Sequence, residues 1–156
     1  MEPTIGKLIK QTQDSQGKPI EIWHSEQLAN SEAMLPFLQA YTEVLEKGWA
    51  TLFFPWNESN KFGVVYAKAD GKVISGIAYE YRQILREGWV LLSFTHPDYR
   101  GKRLNEIVHK PFEAIMREKG ALKLSSHIHQ DNISALKSAE RVGRVPVFYR
   151  LQKNLT

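Results

Sequence analysis

The stretch between Trp89 and Gly120 constrains this chain more than any other. Residues 89–95 form an apolar run short enough for a buried strand. The run stops at His96-Pro97-Asp98, where Pro97 has no N–H to give a ladder. After Gly101, the residues Leu104, Ile107, Val108, Phe112, Ile115 and Met116 recur at helical spacing and mark one apolar face. Pro111 falls inside that pattern and predicts a kink or a break, and Gly120 ends the helix. A buried strand that passes through a short turn into an amphipathic helix belongs to an α/β domain, with helices laid against a sheet.

The flanking segments fit that class. Residues 62–68 and 72–82 are rich in Val, Ile and Tyr and are joined by Asp70-Gly71, a hairpin signal. Residues 20–23 alternate like a strand, and the polar residues 11–18 read as a loop between short early strands. Met34, Leu35, Leu38, Tyr41, Val44 and Leu45 put a helix over residues 31–47, with Ser31 as its N-cap and Gly48 as its stop. Residues 121–129 alternate as a strand, Asp131-Asn132 opens a short helix that runs through Val142, and residues 146–151 read as a last strand. The expected architecture is one domain over residues 1–156, with a mixed, mostly antiparallel sheet flanked by helices.

Composition removes several function classes. The chain has 156 residues and no cysteine, so disulfides, thiolate nucleophiles and Cys-ligated zinc are excluded. The formal net charge of +4 suits an anionic small ligand at least as well as nucleic acid. No apolar run approaches the roughly 18–20 residues that span a bilayer, and the first residues have no apolar signal core, so a cytoplasmic location without membrane contact is expected. His127 and His129 share a strand face, but no third ligand joins them at a telling spacing, so no metal site is expected.

The turn between the buried strand and the helix carries the chemistry. The first N–H groups of a helix have no intrahelical partner and lie at the positive end of its dipole, ready for a phosphate or pyrophosphate. Arg100, Lys102 and Arg103 add positive charge, and Gly101 permits close backbone approach. A solvated helix start with ordinary surface cations would use the same letters.

Residues Thr95-His96-Pro97-Asp98-Tyr99-Arg100-Gly101-Lys102-Arg103-Leu104-Asn105 resemble the acyl-CoA-binding motif of the GNAT family of N-acetyltransferases, roughly hydrophobic–x–Val–x–Pro–Glu–Tyr–Arg–Gly–Lys–Gly–x–Gly. A second family motif, Asn-x-x-Ala followed by Glu-Lys-x-Gly-Phe, is echoed by Asn132-Ile-Ser-Ala135 and Glu140-Arg-Val-Gly143. The two stand in the family's order, and the resemblance extends over residues 72–153. Several positions depart from it. Arg103 and Asn105 replace two glycines, Ala139 stands where the family commonly has a tyrosine acid, Leu91 or Leu92 where it often has a glutamate base, and Arg144 where it has Phe.

The resemblance implies an acyl-CoA-dependent N-acyltransferase, with acetyl-CoA as donor and a small-molecule or protein amine attacking the thioester directly. It implies that Phe94 and Thr95 hold the pantetheine through backbone groups. Arg100, Gly101, Lys102, Arg103, Leu104 and Asn105 would cradle the pyrophosphate, and Asn132 would lie beside the pantetheine arm. Asn132 reads equally as a plain helix N-cap. Glu80 and Tyr149 are the candidate substitute catalytic groups, as proton acceptor and thiolate acid, and Phe53-Phe54-Pro55-Trp56 is a candidate wall of the acceptor site. Two alternatives stay open at this level: an inactive acyl-CoA or nucleotide-binding module of the same fold, and a nucleic-acid-binding protein. Acidic residues interrupt the basic positions, which argues against the second. The sequence fixes neither the acceptor nor the oligomeric state, a homodimer included.

Overall fold

A computed structural model describes residues 6–50 and 61–156, so the segment Phe53-Phe54-Pro55-Trp56 lies outside the described residues. The chain opens with an antiparallel hairpin, β1 (Lys7–Gln13) and β2 (Pro19–Ser25). Gln11, Thr12 and Gln13 belong to β1 rather than to the expected loop, because they pair with Glu21, Ile20 and Pro19. Asp14 closes the turn that is left, accepting the N–H groups of Gln16 at 2.8 Å and Lys18 at 3.0 Å. The first helix, α1 (Met34–Glu46), starts later than expected. Ser31 does not cap it. The Ser31 hydroxyl donates to the Leu28 carbonyl at 2.8 Å and accepts from the Ala33 N–H at 3.2 Å, so it ends the short 3-10 turn Leu28–Asn30 instead.

The central hairpin, β3 (Phe62–Ala69) and β4 (Lys72–Arg82), forms as its letters require. Asp70 and Gly71 both take positive φ, 53° and 76°, the geometry that joins two strands through two residues with the correct twist. The chain then forms β5 (Glu87–Thr95), α2 (Leu104–Lys119), β6 (Lys123–Ser126) and α3 (Ile133–Arg141). The described strands make one sheet in the order β1-β2-β3-β4-β5-β6, antiparallel except for the parallel pair β5–β6.

Both faces of the sheet are covered. Val65, Ala67, Ile77, Tyr79 and Val90 pack against Leu104, Val108, Phe112 and Met116 of α2. Val64, Tyr66, Ala78 and Phe94 pack on the other side with Phe37 of α1. Burial on both faces explains why β3 reads as a near-continuous apolar run and not as an alternation. Gly63 lies under the Tyr79 ring, where an added Cβ would come within 2.4 Å of ring atoms.

The break expected at Pro111 does not occur, and α2 continues to Lys119. The buried seam of Leu104, Val108, Phe112 and Met116 straddles the proline, and that packing outweighs an interior-proline penalty of about 3 kcal/mol. Residues 146–151 form no strand. Val147, Phe148, Tyr149 and Leu151 are 75–92% exposed, because strand propensity alone cannot order a segment that has no ladder partner. Truncating Phe112 to Ala should cost about 3–5 kcal/mol in urea unfolding, while Leu35→Ala on the exposed side of α1 should stay within about 0.5 kcal/mol.

Candidate active site

The site begins with a local miscount in β5. Tyr79 of β4 faces Val90 and Ala78 faces Leu92, so Leu91 is an extra residue without a partner on β4. The bulge puts Leu91 and Leu92 both against the α1-side core. On its other edge β5 pairs with β6 only from Glu87–Lys123 to Val90–Ser126. Beyond that last pair the two parallel strands separate, and a cleft of about 1540 Å³ opens between them. Leu91 and His127 stand at its apex, and α1, the start of α2 and the start of α3 form its walls.

Alternation decides which backbone groups face the cleft. The Phe94 carbonyl accepts the Ser75 hydroxyl at 2.9 Å, and the His96 N–H donates to the Ile74 carbonyl at 2.7 Å. Phe94 and His96 therefore turn toward β4, and Ser93 and Thr95 turn their N–H and C=O groups toward the cleft. This corrects the expectation for Phe94. Its ring is buried edge-on to Phe37, and its backbone serves β4, so Ser93 takes its place beside Thr95.

At the mouth, the 3-10 turn Pro97–Tyr99 leads through Gly101, with φ of 80°, to Arg103, with φ of 57°. Arg103 is the N-cap of α2 but makes no side-chain cap, and the first helical bond runs from the Ile107 N–H to the Arg103 carbonyl at 3.1 Å. The N–H groups of Leu104, Asn105 and Glu106 thus have no intrahelical acceptor. Arg100, Gly101, Arg103, Leu104 and Asn105 line the cleft, and Lys102 lies over the Tyr99 ring, 5.1 Å from its centre. The Asn105 side-chain nitrogen is buried in this wall without a hydrogen-bond partner. Lys18, distant in sequence, joins the group, salt-bridged to Asp70 at 2.8 Å and 5.4 Å from the Tyr99 ring centre. Across the cleft, the Asn132 side-chain oxygen accepts the Ala135 N–H at 3.3 Å, so Asn132 caps α3 while also lining the wall.

The candidate catalytic side chains fare differently. Glu80 faces Trp89 across the ladder and accepts from Arg82 Nε at 3.1 Å. Arg82 also lies over the Trp89 ring and 3.6 Å from Glu87, so Glu80 belongs to an ion-pair cluster beside the cleft and not to its lining. Tyr149 is 91% exposed and also absent from the lining among the described residues. Ala139 is buried, and Ser138 lines the cleft instead. Two residues that the sequence offered in other roles, His127 as a possible metal ligand and Arg144 as a departure from the family's Phe, stand at the apex. His127 lies edge-on to Trp89 at 4.7 Å, and Arg144 donates from Nη1 to the Ser126 hydroxyl. Their signal was positional, since each adjoins the last β5–β6 pair.

A GNAT acetyltransferase family model matches residues 29–143. The chain belongs to the GNAT acetyltransferase family. It is therefore an N-acetyltransferase. Solved structures share the fold of this GNAT domain. Ribosomal-protein-alanine N-acetyltransferase from Brucella melitensis biovar Abortus 2308 aligns with a TM-score of 0.65 at 16% identity, over 88% of this chain and 99% of its own. The aminoglycoside acetyltransferase meta-AAC0020 from an uncultured soil metagenomic sample, in complex with sisomicin, aligns with a TM-score of 0.63 at 13% identity, over 86% and 97%. Aminoglycoside N-acetyltransferase AAC(6')-Iy in complex with CoA aligns with a TM-score of 0.57 at 15% identity, over 85% and 99%. No curated protein matches the sequence. Among the described residues, no helix is long and apolar enough to cross a membrane.

Beneath the cleft, His109 is buried with Nε2 unpartnered, and Nδ1 lies 3.7 Å from Glu113. Burial first, and then the Arg144 charge, lower its pKa, with Glu113 opposing. A histidine whose folded pKa lies below its unfolded value near 6.5 adds nothing at higher pH and destabilises the fold as pH drops below that value. The thermal midpoint should therefore fall between pH 7 and pH 5, and His109→Gln should reduce the fall without abolishing it. His24, which burial shifts the same way, supplies the remainder.

Proposed function

We propose that this GNAT protein transfers an acetyl group from acetyl-CoA to an amine. The observation that carries the reading is the opening of β5 from β6 directly beneath an uncapped, cation-flanked helix start. The residues fit such a donor. The free N–H groups of Leu104, Asn105 and Glu106, with Gly101 giving close approach, suit a pyrophosphate, and Arg100, Lys102 and Arg103 neutralise it. The orphaned Asn105 side-chain nitrogen supplies one more donor on the same wall. Ser93 and Thr95 offer strand-like partners to the amides of a pantetheine arm, with Asn132 opposite. In this reading the thioester lies at the apex, between Leu91 and His127.

Bound there, the donor supplies an activated acyl carbon. Unpaired β5 backbone at the Leu91 bulge polarises the carbonyl, and the pairing of two reactants in one cleft supplies much of the rate. The amine enters beside His127, whose imidazole accepts its proton and releases it to water. Glu80 acts only at second hand, through Arg82 and Trp89. Attack is direct, and a chain without cysteine can form no enzyme thioester. The acceptor is a small-molecule or protein amine, the classes named for the structural neighbours.

Acetyl-CoA at about 100 times its dissociation constant should stabilise the fold by about 2.7 kcal/mol in thermal unfolding. Lys102→Glu should weaken CoA binding by calorimetry by about 1.5–3 kcal/mol, the worth of a charge-assisted contact. Lys10→Glu, on the far sheet edge, should leave binding unchanged. Absence of any thermal response to millimolar CoA would refute the donor assignment.

A further inference from the structure

Amine acylation creates a thiolate as well as releasing a proton, and nothing so far receives the negative charge. Ala139 has no group to offer, and it lies outside the cleft lining. The chain does place a cation at the apex. Arg144 follows Gly143 at the end of α3, and its N–H bonds the Ala139 carbonyl at 2.9 Å, which turns the residue back toward the sheet. Its side chain reaches Ser126, the β6 residue paired with Val90 in the last rung before the strands part. Arg144, Ser126 and Val90 all line the cleft. Arg144 Nε is buried and unpartnered, and among the described residues no carboxylate contributes to its electrostatics. The neighbouring His109 is held toward its neutral form and adds no second positive charge. A half-buried guanidinium without an anion is costly, and it gains most from a site where an anion appears.

We propose that Arg144 is a catalytic residue of this acetyltransferase, whose guanidinium stabilises the departing CoA thiolate at the apex of the β5–β6 cleft. The inference rests on the donor reading above. In the step, a bond forms between the amine nitrogen and the acyl carbon while the carbon–sulfur bond breaks. The electron pair of that bond goes to sulfur, and the amine proton goes to His127 or water. Arg144 remains protonated throughout, and the thiolate takes its proton from solvent after the acylated amine leaves. The guanidinium is thus a fixed charge aimed at where negative charge develops, and it needs no proton of its own to give.

The test titrates CoA bound to the full chain by following the ultraviolet absorbance of its thiolate. With wild-type protein the bound thiol should titrate about 1–3 units below free CoA, the shift expected of an adjacent cation. Arg144→Gln should abolish that shift and lower kcat on the order of 100-fold, with the KM for acetyl-CoA changed little. Arg144→Lys, which keeps the charge, should restore a large part of both. An unshifted thiol in the wild-type complex would overturn the proposal even if Arg144→Gln does not fold, and so would a folded Arg144→Gln enzyme with wild-type kcat. If CoA does not bind the wild-type chain at all, the donor reading itself fails, which binding calorimetry distinguishes from a bound but unshifted thiol.

Discussion

The active region depends on the point where β5 and β6 stop sharing hydrogen bonds. Up to Val90 and Ser126 the two strands satisfy one another, and beyond that rung each carries an edge of backbone polar groups. Unpaired strand edges are normally blunted or covered. Here the opposite happens. The extra residue Leu91 changes the phase of β5 against β4, and Pro97 then ends the strand, so the open edge is short and leads directly to the start of α2. Donors and acceptors of the sheet and free N–H groups of the helix thus face one another across a single cleft. Among the described residues, no other feature supplies both a strand-like and an anion-binding surface in one line.

Much of this was legible in the letters because it depends on local chemistry. Asp70-Gly71 specifies a turn with two positive φ angles, and the chain obeys. The spacing from Leu104 to Met116 specifies a helix face, and that face is buried. What escaped reading depends on partners and counts. A bulge has no letter, since Leu91 differs from Leu92 only in what lies across from it on β4. Residues 146–151 carry strand-forming letters such as Val147, Phe148 and Tyr149, yet a strand exists only beside another one. Pro111 carries a local penalty that a buried seam on both sides overrides. Lys18 reaches Tyr99 only because the β1–β2 turn and the β3–β4 turn lie together, a proximity set by the pairing of β2 with β3.

The charges follow the same division between surface and site. Several surface acidic side chains meet a cation nearby, as Asp70 meets Lys18 at 2.8 Å and Glu26 meets Lys119 at 2.8 Å. Such pairs on the surface contribute little to stability. Around the cleft the balance tips toward cations. Arg100 donates from Nε to the Thr95 carbonyl at 3.4 Å and meets a carboxylate, Glu43, at 3.9 Å, and Lys102 rests on an aromatic face. A modest excess of positive charge over the whole chain therefore becomes a local one where an anionic partner would enter.

The open edge of β5 also bears on how such a site is inherited. Ser93 and Thr95 contribute main-chain groups, which every residue except proline carries in full. A point substitution there leaves the donors and acceptors in place. An insertion or deletion of one residue between Val90 and Pro97 would reverse the alternation and turn those groups toward β4. Descent acting on this cleft thus weighs the length of a segment more heavily than its spelling. A chain only 16% identical to a structural neighbour over 88% of its length shares that neighbour's fold.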